Sequence, residues 1–373
     1  MKTLKICLLM VFVVGVAVVG GAGCSTPALE KANAELWQSL TADSIKAVFK
    51  KYEKEFMTTN KDLELEVNKD FLEIVRKRLN SLNLSDTEID ECLTWLPVPT
   101  SLNLVLVPDL SRRIVDDVNN PAQVESDTVI LRYIWEAFKK YAQFKLDSEH
   151  RLAVDVTDEG QANGRFRTVA DNLSFDFPKN ETKRERIGRF DSAYVRYVKN
   201  IEVMYSLAKE KPVGADYWFY FKNNLSKNIR KNTLYNNYRN VLIIITDGYL
   251  EAESSTETGI WDYTGNFQKR SEVVRRIKQG YSVKDAVKGL IEIPGFDQKF
   301  PTLEVLVLEI NKRKGYSEKE KDRGTNYDYD ILKFLWTDWF TRLEIKNAGE
   351  DFFFLRNQAT KDTKVVIDMF LSK

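Results

Sequence analysis

Little in this chain of 373 residues can support histidine or thiol chemistry: it has one histidine, His150, and three cysteines. A histidine-based triad or a zinc site would have to be built around that one residue, and no serine or cysteine motif accompanies it. His150 reads as a surface residue opening a strand. Net charge is nearly absent as well, with 56 basic residues against 55 acidic ones, or +1 with the histidine neutral. Such a balance gives no electrostatic case for nucleic acid or an anionic membrane surface as the main partner. No internal repeat or low-complexity tract stands out. The apolar run Ile6–Val19 falls short of a membrane span of about 20 residues. What remains is enough chain for one large domain and a smaller one.

That apolar run is preceded by Lys2 and Lys5, the pattern of an export signal. Gly21-Ala22-Gly23-Cys24 follows it and resembles a bacterial lipoprotein signal. The resemblance implies that Cys24 receives a diacylglycerol, that residues 1–23 are removed, and that Cys24 becomes the acylated first residue. Two or more acyl chains hold a protein on a bilayer durably. An ordinary secretory signal with Cys24 incidental is the plainer alternative. Ser25 is not the aspartate that often marks inner-membrane retention, so the expected location is the bacterial cell envelope, with the outer membrane favoured. Cleavage would take Lys2 and Lys5, leaving 54 basic residues against 55 acidic ones and a net charge of −1. Cys7 would leave and Cys24 would be consumed. Cys92 alone could then form no internal disulfide, and it is expected to be a buried, inert thiol near a helix end.

The mature chain divides into a helical tether or docking region, 24–97, and an α/β domain, 98–373. In the first, Leu36, Leu40, Ile45, Phe49, Tyr52 and Phe56 recur at near-helical spacing. Phe71, Ile74, Val75 and Leu79 make a second stripe, and Ser85-Asp86 can cap a short third helix holding Ile89 and Leu93. Pro97 and Pro99 punctuate the chain before the first buried strand. From Leu102 onward strands and helices alternate. Leu102–Val107, Asn240–Thr246 and Leu303–Ile310 are Val/Ile/Leu-rich runs of the kind covered on both faces in a parallel sheet. Arg151–Thr157, Leu173–Phe177 and Phe352–Leu355 are further strands. Helices are expected around Val129–Tyr141, Tyr194–Leu207, Val273–Ile277, Val283–Ile291, Ile331–Leu343 and Val365–Leu371. The fold class is α/β, a doubly wound and mostly parallel sheet flanked by helices.

Two of the apolar runs end on an aspartate in a short polar turn, Pro108-Asp109-Leu110-Ser111 and Thr246-Asp247-Gly248. Ligands of open α/β sheets bind beyond the carboxyl ends of the strands, where the chain order reverses. On neighbouring strands, Asp109, Ser111 and Asp247 would converge, and three hard oxygen ligands would suit a magnesium-like ion. Plain turn formation by Asp, Ser and Gly is the competing explanation.

Strand, Asp-x-Ser, helix and a later strand with Thr-Asp-Gly resemble a von Willebrand factor type A domain over roughly 101–373. In that family Asp-x-Ser-x-Ser after the first strand, a Thr from a middle loop and an Asp after the fourth strand form a metal-ion-dependent adhesion site. The resemblance implies Mg2+ held by Asp109, Ser111 and Asp247, with one position open for an acidic side chain of a protein partner. Three departures stand out, one being that Ile114–Glu125 delays the first clear helix, which the family usually begins at the motif. Arg113 occupies the place of the second serine, where a guanidinium would repel the ion unless it faced solvent or paired with Asp116 or Asp117. The middle threonine is not identifiable, with Thr182 and Asp191-Ser192 as candidates. The polar segment Tyr249–Lys269 follows Asp247, making Tyr249, Glu251 and Glu253 the expected partner-binding rim.

The resulting expectation is a membrane-anchored envelope lipoprotein whose A-like domain binds a protein partner at this rim. Asp109 and Thr246 also echo haloacid dehalogenase-like hydrolases, but the general-acid aspartate of those enzymes is Ser111 here. A phosphoester hydrolase using Asp109 is therefore one alternative. A structural lipoprotein contacting its assembly through the helical region is another. The basic stretches Lys183–Arg189 and Lys222–Lys231, the latter beside Tyr217–Phe221, read as solvated helix faces over an aromatic core.

Overall fold

The computed structural model describes residues 27–59, 65–116, 122–157, 164–212, 215–249, 267–311, 327–355 and 359–373. Cys24, Glu251 and Glu253 lie outside them. Two compact units divide between Glu88 and Ile89, inside the helix Asp86–Leu93. No helix among the described residues is long and apolar enough to cross a membrane.

The smaller unit contains helices Pro27–Gln38, Ala42–Tyr52 and Lys69–Asn80, and an antiparallel pair, β1 (Met57–Thr59) and β2 (Leu65–Val67). The expected first stripe is broken. Thr41 caps the second helix, its side chain accepting from Ser44 N–H, so Leu40 falls in the gap between helices and is 78% exposed. Phe49, Phe56 and Phe71 nevertheless stack into one core, at ring separations of 5.7 Å and 4.5 Å. The β1–β2 pair has three-residue strands, too short for alternation to announce them.

The larger unit is an α/β sandwich around a six-stranded sheet. Its strands are β3 (Thr100–Pro108), β4 (His150–Val154), β5 (Ser174–Phe177), β6 (Asn237–Ile245), β7 (Leu303–Ile310) and β8 (Phe353–Leu355). Their spatial order is β5-β4-β3-β6-β7-β8. All neighbours are parallel except the edge strand β5, which runs antiparallel to β4. Alternation divides the central strands between two cores. Leu104, Leu106, Val241, Ile243, Ile245, Leu306 and Leu308 face a first core with helices Gln123–Ala142, Lys183–Glu210 and Lys361–Ser372. Val105, Val107, Leu242, Ile244, Val305 and Val307 face a second with helices Tyr217–Asn223 and Tyr327–Arg342. Burial on both faces explains why these strands read as unbroken apolar runs. The Tyr217–Phe221 aromatics, placed by sequence beside a basic stretch, lie in the second core.

Two polar residues moved inward against expectation. His150 does open β4, but it is 1% exposed, and its Nδ1 accepts the Leu102 N–H at 3.0 Å. Arg186, within a stretch read as solvated, is buried against Glu181 at 2.6 Å and the carbonyls of Ser148 and Pro178. Cys92 is buried near the end of its helix.

Burial, with the nearby Arg186 charge, lowers the His150 pKa to about 3. The folded state therefore refuses a proton that the unfolded chain accepts below pH 6.5. The resulting stability is full above pH 6.5, falls as pH drops through that value, and stops falling near pH 3. Between pH 7 and 5 the loss should be on the order of 2 kcal/mol. Urea unfolding at both pH values should show it, and His150→Gln should flatten the slope.

Candidate functional site

Chain order reverses between β3 and β6, which places the switch point of the sheet at their carboxyl ends. Both aspartate turns stand there. The strands pair in register up to Pro108 opposite Ile245, and Asp109 N–H continues the ladder to the Ile245 carbonyl at 2.8 Å. Thr246 Oγ1 then donates to Asp109 Oδ2 at 2.8 Å and accepts Gly248 N–H at 3.1 Å, joining the two turns directly. Asp109 Oδ1 accepts Ser111 N–H at 2.9 Å, and Ser111 Oγ accepts Arg113 N–H at 3.4 Å, starting the short 3-10 turn Arg112–Ile114. Asp247 Oδ1 accepts Tyr249 N–H at 3.3 Å. Asp109, Ser111 and Asp247 are thus brought to one end of the sheet, and each also serves its own turn.

Gly248 is required here. Its φ is +92°, and a Cβ would come within 2.8 Å of Ile310 Cδ1. The Gly248 carbonyl accepts Trp336 Nε1–H at 2.9 Å, so the second turn is anchored to the core.

The centre of the site is Arg113, which does not face solvent; Asp117, one of its expected partners, lies outside the described residues. Its side chain is fully buried and turns back under the first turn. Nε donates to the Asp109 carbonyl at 3.1 Å and lies 3.4 Å from Asp109 Oδ2. Nη2 meets Asp127 Oδ2 at 2.6 Å and the Ile245 carbonyl at 3.0 Å. Asp127 is also buried, and it accepts from Gln123 Nε2 at 2.7 Å and from the Tyr205 hydroxyl at 2.9 Å. Burial alone would lower the guanidinium's affinity for its proton, but Asp127, Asp109 and Asp247 outweigh it and hold Arg113 charged. Burial pushes the Asp127 carboxyl upward, opposed by Arg113 and by its two neutral donors. These partners compensate the buried charge pair, although Arg113 Nη1 and Gln123 Oε1 are buried without a hydrogen-bond partner among the described residues.

This arrangement does not fit a divalent ion. Both Asp109 oxygens already accept hydrogen bonds, and an incoming cation would sit beside a buried guanidinium. Among the described residues no group of three or more His, Cys, Asp or Glu side chains is placed to hold a metal. Nor are the proposed middle ligands brought here. Thr182 caps the Lys183–Glu210 helix, after β5 has run back to the opposite end of the sheet, and Asp191 pairs with Lys139 at 2.8 Å on the surface. The rim also needs correction. Tyr249 is 1% exposed and belongs to the second core, because the turn at Gly248 directs it inward.

Asp127, Gln123 and Tyr205, with Thr246 of the second turn, complete the site, and the first three were not singled out from sequence as site residues. Asp127 did carry a signal. It falls three residues before Ile130 and seven before Ile134 on the buried stripe of its helix, where a carboxylate demands a partner.

The molecule defined by fold and site is thus a doubly wound α/β domain with a buried, charge-compensated centre at its switch point. No protein-family model, curated protein or solved structure matches the chain.

Proposed function

We propose that the chain is a lipid-anchored protein of the bacterial envelope, and that its α/β domain is an A-like module binding a protein partner at the strand-end rim. One observation carries this reading. The Asp-x-Ser turn follows the first strand of the sheet and the Thr-Asp-Gly turn follows the fourth, on adjacent parallel strands at the switch point. That placement supports the resemblance to von Willebrand A domains. In the proposed module Arg113 supplies the positive charge that a metal would otherwise bring, so binding does not depend on Mg2+. The buried aspartates act by holding the turns, while Arg112 and Val115, exposed after β3, belong to the contact surface together with the acidic segment containing Glu251 and Glu253.

Nucleophilic attack by Asp109 is disfavoured, because its carboxylate is 1% exposed and fully engaged with Ser111, Thr246 and Arg113. The reading with the helical region as the contact gains support from Leu40 and Leu65, both more than 70% exposed on the smaller unit.

Site-specific photo-crosslinking of the full chain in envelopes distinguishes them. A probe at Arg112 or Val115 should give a discrete protein adduct, and a probe at the exposed Lys346, at the opposite end of the sheet, should give none. Adducts only from Leu40 and Leu65 would favour the helical unit, and adducts only from Lys346 would refute both.

A further inference from the structure

The two apolar cores do not cover the sheet evenly. Leu152 and Val154 of β4, with Phe175 and Phe177 of β5, face the first core, and neither strand contributes a residue to the second. Alternation therefore places Arg151, Ala153 and Asp155, with Ser174 opposite Ala153, on a face that the second layer of helices leaves open. A cleft of about 340 Å3 lies there, walled by the Arg165–Asn172 helix on one side and by Asn224, Lys227 and Asn228 on the other.

Its floor holds the Arg151 guanidinium, which has Asp176 opposite it on β5 and Asp155 nearby but is in ion-pair contact with neither. Among the described residues Arg151 donates to two neutral amide oxygens, Asn103 Oδ1 at 3.4 Å and Asn228 Oδ1 at 3.3 Å, both beyond the usual hydrogen-bond range. No carboxylate forms an ion pair with it among the described residues. The nearby carboxylates are occupied elsewhere. Asp155 accepts from Asn228 Nδ2, the Tyr220 hydroxyl and Val156 N–H. Asp171 pairs with Arg167 at 3.1 Å, and Asp176 with Arg230 at 2.6 Å. On the wall, the Lys227 ammonium also has a neutral partner among the described residues, Asn224 Oδ1 at 3.0 Å. A half-buried cation held by long contacts to amides is poised to exchange them for a stronger acceptor.

We propose that this cleft binds a small hydroxylated oxyanion, a carboxylate or a phosphomonoester, with Arg151 gripping the acid group and Lys227 adding a second positive charge. The planar fork of Arg151 matches two oxygens of either group. The cleft is within the size range of small-molecule sites, and its polar lining selects a hydrophilic ligand. It also adjoins the carboxyl end of β4, the side of an α/β sheet where ligands gather. The site is separate from the strand-end rim and does not depend on it.

Calorimetric titration of the detergent-solubilised full chain tests this with glucuronate and glycerol 3-phosphate, against glucose at matched ionic strength. At least one acid should saturate at millimolar concentration while glucose gives no binding. Arg151→Gln should weaken binding at least tenfold, Arg151→Lys severalfold through loss of the fork, and the exposed Lys227→Gln severalfold with no effect on folding. Phosphatidate vesicles, whose headgroup is a phosphomonoester, form a second arm. Vesicle binding that glycerol 3-phosphate displaces would assign the phosphate to a lipid headgroup, and binding of the free acids alone would assign it to a soluble ligand. Failure of both acids and vesicles to bind overturns the proposal, as does unchanged affinity in the Arg151 and Lys227 variants that circular dichroism shows to be folded.

Discussion

Arg113→Met should destabilise the α/β domain by about 3–5 kcal/mol, the usual cost of leaving a buried charge without its partner. The variant strands Asp127, which has no exposure through which water could replace the guanidinium. It also removes the donor to the Ile245 carbonyl at the end of β6. Urea unfolding followed by circular dichroism measures the loss. The double variant Arg113→Met/Asp127→Asn should recover much of it, because a neutral amide needs no counter-charge. A near-silent single variant would show that the pair is not a unit. The related substitution Arg113→Ser restores Asp-x-Ser-x-Ser and tests the electrostatic argument more sharply. Wild-type protein should show no shift of its thermal midpoint with millimolar Mg2+. Arg113→Ser should be destabilised and then partly restored by Mg2+, as the ion enters the space and charge the guanidinium gave up. A wild-type midpoint raised by Mg2+ would contradict the fit derived from the geometry.

Trp336→Ala should cost a similar amount, about 3–5 kcal/mol, by opening a cavity in the second core. Its ring is fully buried and packs against Tyr217, Trp339, Phe340 and Phe353, with centroid separations from 5.3 Å to 6.1 Å. Trp336→Phe separates packing from hydrogen bonding. It keeps most of the apolar contact but leaves the Gly248 carbonyl unpaired, a loss of about 1 kcal/mol or somewhat more. Amide exchange at Gly248 and Tyr249 should speed up in this variant while β4 is unchanged. Equal exchange in both places would mean that the indole does not anchor the turn.

The contrast between the two sites follows from which interactions are local. The strand runs 102–107, 240–246 and 303–310 were legible because strands buried on both faces must be apolar throughout, and each appears within a residue or so at its outer end. Asp109 and Asp247 were legible for a similar reason, since polar residues capping such runs fall at strand ends. Arg113 was noticed only as a departure from a pattern. Its partner Asp127 is fourteen residues away, and Tyr205 reaches the same carboxylate from another helix. No periodicity encodes that meeting. Tyr249 was misplaced because a polar sequence context suggested surface, while the positive φ at Gly248 turned the chain inward.

By itself, then, the amino-acid sequence determined the alternation of strands and helices, the doubly wound sheet and the location of two acidic turns, since each depends on hydrophobic period and turn chemistry over a few residues. Only tertiary structure decided what those turns hold. Whether a buried carboxylate faces an ion, a guanidinium or an open cleft depends on charges contributed by distant segments, and burial makes the choice of partner worth several kcal/mol.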